Sequence, residues 1–147
     1  MIFSIITANY NSEKYLEQTI QSVLAQRKFV DVEYIMVDGG STDRSLEIIN
    51  RYKEEFSHCI IEKDNGPAEA INKGLHAATG DVVAWLNADD VYFPGTLVRV
   101  RDAFDVAPEA SMCFGGCVII NEEGTEIRDS ITRFKEFFYP LSCRFTY

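Results

Sequence analysis

An apolar run, Val82-Val83-Ala84-Trp85-Leu86, gives way without transition to Asn87-Ala88-Asp89-Asp90. The run reads as a buried strand, and the residues after it carry oxygen ligands. On an extended chain the side chains at i and i+2 share a side. Asn87 and Asp89 are therefore expected to face one ligand together, with Asp90 turned to a second partner or back to the backbone. Hard oxygen donors at a strand end suit Mg2+ or Mn2+ held jointly with a diphosphate. The competing reading of these residues is a turn that caps the next helix.

Three further polar clusters lie upstream, each at the end of an apolar run. Ile2 to Thr7 reads as a first strand and runs into Ala8-Asn9-Tyr10-Asn11; Ser12 is the expected N-cap of a helix with Leu16, Ile20, Val23 and Leu24 on one face. Val32 to Val37 reads as a second strand ending at Asp38-Gly39-Gly40-Ser41-Thr42-Asp43. Asp38 is placed either as an acceptor for a ribose hydroxyl or base N–H or as part of a tight turn, and Asp43 as a helix-start residue favoured by the dipole. Leu46, Ile49 and Tyr52 mark the helix after it.

Cys59 to Glu62 reads as a short third strand before Lys63-Asp64-Asn65-Gly66. Pro67 and Gly80 bracket a helix by their preferences for first turn and exit, with Ile71, Leu75 and Ala78 expected inside. Pro94 opens a last helix with Leu97, Val100 and Phe104 inside. Repeated strand–helix alternation predicts an α/β fold, a mainly parallel sheet with helices on both faces. Ligands bind such sheets outside the carboxyl ends of the strands, where these polar clusters fall. The pattern then changes: Met112 to Ile120 is expected as a strand, with a turn and Glu126-Ile127-Arg128 completing a β-hairpin.

A chain of 147 residues suffices for one domain. The expected division is a core over 1–110, followed by a hairpin and aromatic tail over 111–147. Six aromatics crowd the final stretch: Phe134, Phe137, Phe138, Tyr139, Phe145 and Tyr147. They point to a longer parent chain or a surface awaiting a partner, including a second copy. The net charge of −9 argues against nucleic acid as partner. It permits a diphosphate only with a divalent cation between. Cys59, Cys113, Cys117 and Cys143 include no Cys-x-x-Cys pair, which leaves too little for zinc. The first three are expected as reduced core residues, in keeping with the cytoplasm. With a strand expected from Ile2, no signal peptide is expected ahead of it, and no apolar run reaches the roughly 20 residues that cross a bilayer.

Neither Gly-x-Gly-x-x-Gly nor Gly-x4-Gly-Lys-Ser/Thr is present, which removes two common nucleotide cradles. Four motifs do occur in order: Ser4 to Asn11, Val37-Asp38-Gly39-Gly40-Ser41-Thr42-Asp43, Asp64-Asn65-Gly66 leading to Ala70-Ile71-Asn72-Lys73-Gly74, and Leu86-Asn87-Ala88-Asp89-Asp90. Together they resemble the family 2 glycosyltransferases of GT-A fold, over roughly residues 2 to 127. The resemblance implies an inverting transferase whose nucleotide-sugar donor, commonly a UDP-sugar, lies across the ends of strands one, two and four. Thr7, Ala8 and Tyr10 match the loop lining the base pocket, and Asp38 the carboxylate that accepts from the base. Gly66, Asn72 and Lys73 match the segment closing over base and phosphates. Asn87, Ala88 and Asp89 occupy the Asp-x-Asp triplet, with Asp89 and Asp90 as the implied metal ligands for Mn2+ or Mg2+.

Asn87 departs from the commoner Asp and brings one negative charge fewer. The resemblance also implies a general base in the half after the hairpin, expected beyond Tyr147; Glu122 and Glu123 look solvated and are not promoted to that role. It further implies a carbohydrate or lipid-linked acceptor, in polysaccharide or glycolipid assembly at the cytoplasmic face of a membrane. Two other readings stand beside it. One is a catalytically incomplete nucleotide-binding module that pairs with another subunit. The other is a nucleotidyltransferase, which wants a Gly-rich basic loop where Ala8-Asn9-Tyr10-Asn11 stands.

Overall fold

The computed structural model describes residues 1–121 and 123–128. The chain divides into two compact units, Met1–Val98 and Arg99–Tyr147. The first alternates β1 (Ile2–Asn9), α1 (Leu16–Leu24), β2 (Asp31–Asp38), α2 (Ser45–Arg51), β3 (His58–Ile61), α3 (Pro67–Ala77) and β4 (Val82–Asn87). Its four strands are all parallel, in the order β3-β2-β1-β4. The expected α/β sheet is present.

β1 and β2 hold the centre, and central parallel strands are buried on both faces. Phe3, Ile5, Ile6, Tyr34, Ile35, Met36 and Val37 are fully buried there. The register sets Ile6 beside Ile35 and Ala8 beside Val37, and Ala70 of α3 closes that face. Leu16, Ile20, Val23 and Ile49, from α1 and α2, complete the fully buried apolar set. Tyr34 needs a partner for its hydroxyl in such a place. It shares a hydrogen bond of 3.1 Å with Thr7 Oγ1 and meets the Phe56 ring edge-on at 5.2 Å.

α3 turns a different face inward from the one its large apolar residues predict. Ala70 and Gly74 are its buried residues, whereas Ile71 is half-buried and Leu75 exposed. A Cβ on Gly74 would lie 3.0 Å from Ile6 Cγ1 and 3.2 Å from Cδ1, closer still to Cγ2. The helix backbone therefore rests directly on β1, and only small residues fit beneath it. Gly80 does not end this helix, which closes at Ala77. Instead it passes against β1, donating its N–H to Ser4 Oγ at 2.8 Å, where a Cβ would be 2.7 Å from the Ile2 carbonyl.

β4 corrects a second expectation. It is an edge strand, with Leu86 buried but Val83 and Trp85 exposed. A sheet edge has a neighbour on one side only, so an apolar run there is not covered on both faces. In α2 the inner residues are Ser45, Ile48 and Ile49, with Leu46 half-buried.

α4 (Thr96–Val106) follows Gly95, whose φ of 75° is left-handed. Pro94 thus precedes the helix by two residues, and Leu97 is buried while Val100 and Phe104 are half-buried. The second unit holds a hairpin of β5 (Ile119–Ile120) and β6 (Glu126–Arg128), with a register shift between Ile119 and Ile120. The expected strand from Met112 is reduced to its last two residues; the rest forms no ladder among the described residues. Asn121 builds the turn, its Oδ1 accepting from Glu123 and Thr125 N–H at 3.1 and 2.8 Å. Cys59 and Cys113 are half-buried and Cys117 is exposed, so Cys117 is not a core residue. The aromatic tail, Glu122 and Cys143 lie outside the described residues. Among those described, no helix is long and apolar enough to cross a membrane.

Candidate functional site

The parallel sheet brings all four polar clusters to one end of the first unit. The loop after β1 and the loop after β2 are stitched together by reciprocal side-chain-to-backbone bonds. Asn11, left-handed at φ 52°, accepts the Thr42 N–H on Oδ1 at 2.8 Å and gives its own N–H to Ser41 Oγ at 2.9 Å. Asn tolerates this conformation better than most residues. Asp43 Oδ2 accepts from Glu13 N at 2.9 Å, and Glu13 Oε2 accepts from Arg44 N at 2.7 Å. Asp43 Oδ1 also accepts the Ser45 N–H at 2.9 Å, which makes it the helix-start residue expected. Burial alone would raise the Asp43 carboxyl's pKa, but these bonds more than offset it and hold the pKa below its ordinary value. Ser12 is not the cap of α1: its hydroxyl turns back to the Tyr10 carbonyl, and its N–H goes to Ser45 Oγ.

Asp38 sits beneath this seam, fully buried. Its Oδ2 accepts from Asn9 Nδ2 at 2.6 Å and Ser41 Oγ at 2.7 Å; its Oδ1 accepts from Gly40 N at 3.0 Å and Ser41 N at 2.8 Å. Four internal donors occupy a group with about four acceptor positions. Asp38 thus serves as the tight-turn residue of one of its two expected roles.

Above the seam lies a cleft of about 350 Å³. Ala8, Asn9 and Tyr10 line it from β1, Gly39, Gly40 and Thr42 from the β2 loop, and Lys63, Asp64, Gly66, Pro67 and Ala70 from the approach to α3. Tyr10 is 63% exposed, so its ring offers a flat apolar wall, and Gly66 is left-handed at φ 127°. Of the expected site residues, Ala8, Tyr10 and Gly66 meet here. Thr7 does not reach the cleft; it is buried against Tyr34.

Asn72 is exposed on α3. Lys73 is spoken for: its ammonium donates to the Glu62 and Lys63 carbonyls at 3.4 and 3.3 Å and pairs with Glu62 and Glu69 at 3.5 and 3.6 Å. It therefore pins the loop that carries Asp64. That aspartate, expected only as part of a motif, accepts the Gly66 N–H on Oδ1 at 2.9 Å. Its Oδ2 and Asn9 Oδ1 are the buried side-chain acceptors without a partner among the described residues. Asn9, Asn11, Ser41 and Asp64 were not singled out as site residues. Only the density of Asn, Asp and Ser in these loops could have signalled them.

At the end of β4, Asn87 lies beside Ala8 in register, which sets this cluster next to the cleft. The chain turns at once: Asp90 N donates to the Asn87 carbonyl at 3.1 Å, and Asn87 Nδ2 to Asp90 Oδ2 at 3.2 Å. The turn pairs Asn87 with Asp90, where an extended chain would have paired it with Asp89. Ala88 is buried and its carbonyl accepts from Thr19 Oγ1 at 2.9 Å, which anchors the turn to α1. Burial raises the Asp90 pKa, the neighbouring Asp89 charge raises it further, and the Asn87 amide opposes them. Two adjacent exposed carboxylates that repel one another are a donor set a hard divalent cation would satisfy. Among the described residues, no three or more His, Cys, Asp or Glu side chains form a complete metal cage, so further ligands would have to come from a bound molecule. A second, open cleft of about 520 Å³ lies at the amino ends of β1 and β2, away from these loops.

The family model described as Glycosyl transferase family 2 matches residues 4–146. TarS of S. aureus, solved in complex with UDP-GlcNAc, is 32% identical with a TM-score of 0.65, over 72% of this chain and 32% of that one. The mannosyltransferase PcManGT of Pyrobaculum calidifontis, solved with GDP-Man and Mn2+, shares the fold at 22% identity and a TM-score of 0.62, over 81% of this chain and 35% of that one. The putative teichuronic acid biosynthesis glycosyltransferase TuaG of Bacillus subtilis is 33% identical over 129 residues, 86% of this chain and 50% of its own length. The uncharacterized glycosyltransferase alr2836 of Nostoc sp. is 42% identical over 110 residues, 73% of this chain and 34% of its own. The chain thus spans between a third and a half of these curated relatives' lengths.

Proposed function

The chain belongs to glycosyl transferase family 2, and from that premise we propose that it holds the donor site of an inverting glycosyltransferase. The donor is a nucleotide-sugar with UDP as its nucleotide. The observation that carries this reading is the juxtaposition at one sheet end of a glycine-walled cleft bearing Tyr10 with the acidic turn Asp89-Asp90. The UDP-GlcNAc complex of TarS supports the choice of nucleotide.

In this reading Tyr10 stacks on the base, and Gly66, with open space where a side chain would project, lets backbone approach the nucleotide closely. The turn at Asn87 offers its amide to the ribose. Asp89 and Asp90 would hold the divalent cation that a chain of net charge −9 needs beside a diphosphate. When bound, that ion supplies Lewis-acid stabilisation of the charge developing on the leaving diphosphate. The acceptor hydroxyl attacks the anomeric carbon opposite the diphosphate, the carbon–oxygen bond to phosphate breaks, and configuration inverts. The attack needs a base for the hydroxyl proton. Glu123 is exposed at a hairpin turn and is not assigned that role. The cytoplasmic face of a membrane is the proposed setting, with a carbohydrate or lipid-linked acceptor.

Titration calorimetry with UDP, with Mn2+ and then with EDTA, tests the reading. Binding is expected to require the metal and to weaken at least about tenfold in Asp89→Ala, the loss of one charge-assisted ligand contact. UDP binding that is absent, or that is indifferent to both EDTA and Asp89→Ala, refutes it.

A further inference from the structure

We infer that Asp64, and not Asp38, is the carboxylate that reads the base, and that it selects a base presenting a single N–H donor, which is uracil. The inference rests on the nucleotide reading of the cleft and names the residue that gives it specificity. A base-reading carboxylate needs an oxygen free to accept. Asp38 has none, since its four bonds go to Asn9, Gly40 and Ser41. Asp64 lines the cleft, and its Oδ2 has no hydrogen-bond partner among the described residues.

The place of that oxygen depends on Gly39. A Cβ at position 39 would lie 2.7 Å from Asp64 Oδ2 and 3.0 Å from both Cγ and Oδ1. The carboxylate therefore fills the space that a side chain at the end of β2 would occupy. It arrives at the strand end from the opposite loop. Its approach is braced on both sides. Lys73 holds the carbonyls of Glu62 and Lys63, and Glu69 Oε2 accepts from Asn65 N and Nδ2 at 3.1 and 2.7 Å. An acceptor held in a shielded place without a donor is left at a cost that a donor repays.

The count of oxygens sets the selectivity. Oδ1 is engaged by the Gly66 N–H, so one oxygen remains for the ligand. Gly39, against which Oδ2 lies, itself lines the cleft, so that oxygen stands at the cleft wall while Oδ1 keeps its Gly66 bond. Uracil presents one N–H, at N3, between two carbonyls. Guanine presents adjacent N1–H and N2–H donors, which want both oxygens at once. Tyr10, exposed in the same cleft, gives either base a stacking wall and does not discriminate between them.

The test pairs a ligand change with a residue change. Wild-type chain and Asp64→Asn are titrated with UDP and with 3-methyl-UDP, whose N3 carries a methyl group in place of hydrogen, at saturating Mn2+; circular dichroism checks that the variant is folded. Asp64→Asn should weaken UDP by about 10- to 100-fold, the range of one hydrogen bond to a charged group. It should move 3-methyl-UDP by less than about threefold, since that ligand has no hydrogen bond to lose. Equal binding of UDP and 3-methyl-UDP by the wild type, or equal losses for both ligands in the variant, overturns the assignment of Asp64 while leaving the nucleotide site standing. Absence of any UDP binding by the wild type overturns both.

Discussion

Gly74→Ala isolates the contact on which the site's scaffold rests. In an exposed helix this substitution would stabilise by about 1 kcal/mol through propensity alone. Here the new methyl would sit 3.0 Å from Ile6 Cγ1, 3.2 Å from Cδ1 and closer to Cγ2, against an optimum of about 3.5–4.0 Å between carbons. Ile6 cannot retreat. It is fully buried on a central strand among Ile35, Val37 and Ala70. The helix must lift, at an overpacking cost near the upper end of about 1–3 kcal/mol. The balance is a destabilisation of about 2 kcal/mol, which for a chain of this size lowers Tm by roughly 4–8 °C. Thermal unfolding followed by circular dichroism reads it directly. Leu75→Ala, one residue along on the exposed side, should change stability by no more than about 0.5 kcal/mol. A Tm for Gly74→Ala equal to or above wild type would refute the close seating of α3 on β1. A lifted α3 also carries Lys73 and the Asp64 loop away from β2, so UDP affinity should fall with Tm.

Asp38→Asn removes the charge from a buried acceptor of four bonds and sets an NH2 against the Asn9 amide or the Gly40 and Ser41 N–H groups. The expected loss is about 3 kcal/mol, seen as a lower urea midpoint at unchanged slope; an unmoved midpoint would show that Asp38 does not hold the two loops together. Glu33 gives a pH signature. Burial pushes its carboxyl pKa up, but hydrogen bonds from Ser4 and Thr79 and the charge of His58 outweigh that and hold it below the ordinary 4.5. A depressed folded pKa contributes stability that is present above pH 4.5 and lost as pH falls through the folded value. The stability gap between wild type and Glu33→Gln should therefore be wide at pH 7 and narrow at pH 3, and a gap independent of pH would count against the Glu33 network.

The local code of this chain was readable because local physics writes it. Apolar runs of strand length alternating with helical periodicity gave the parallel sheet. The clusters at Asn9, Asp38, Asp64 and Asn87 fall at strand ends because a parallel sheet places those ends together. Family motifs in register supplied the rest of the expectation, and residues 4–146 match that family. What the sequence could not display was how closely elements approach. Ala70 and Gly74 look like weak core residues beside Ile71 and Leu75, yet a helix lying directly on β1 admits only the small ones. Trp85 looks like core until the strand order makes β4 an edge.

The site shows the same division. Asp38 and Asp64 are both carboxylates in polar loops, and nothing along the chain distinguishes a carboxylate with four internal donors from one with a spare oxygen. That difference is made by Asn9, which reaches Asp38 across the strand ends, together with Gly40 and Ser41 of its own turn. It is also made by Gly39, which leaves room for a side chain 25 positions further on. The sequence by itself determined which groups are near the ligand, since secondary structure and chain order are governed by neighbours. Only the tertiary structure decided which of them are free to bind, because an acceptor already satisfied by donors that the fold holds against it is unavailable to anything else.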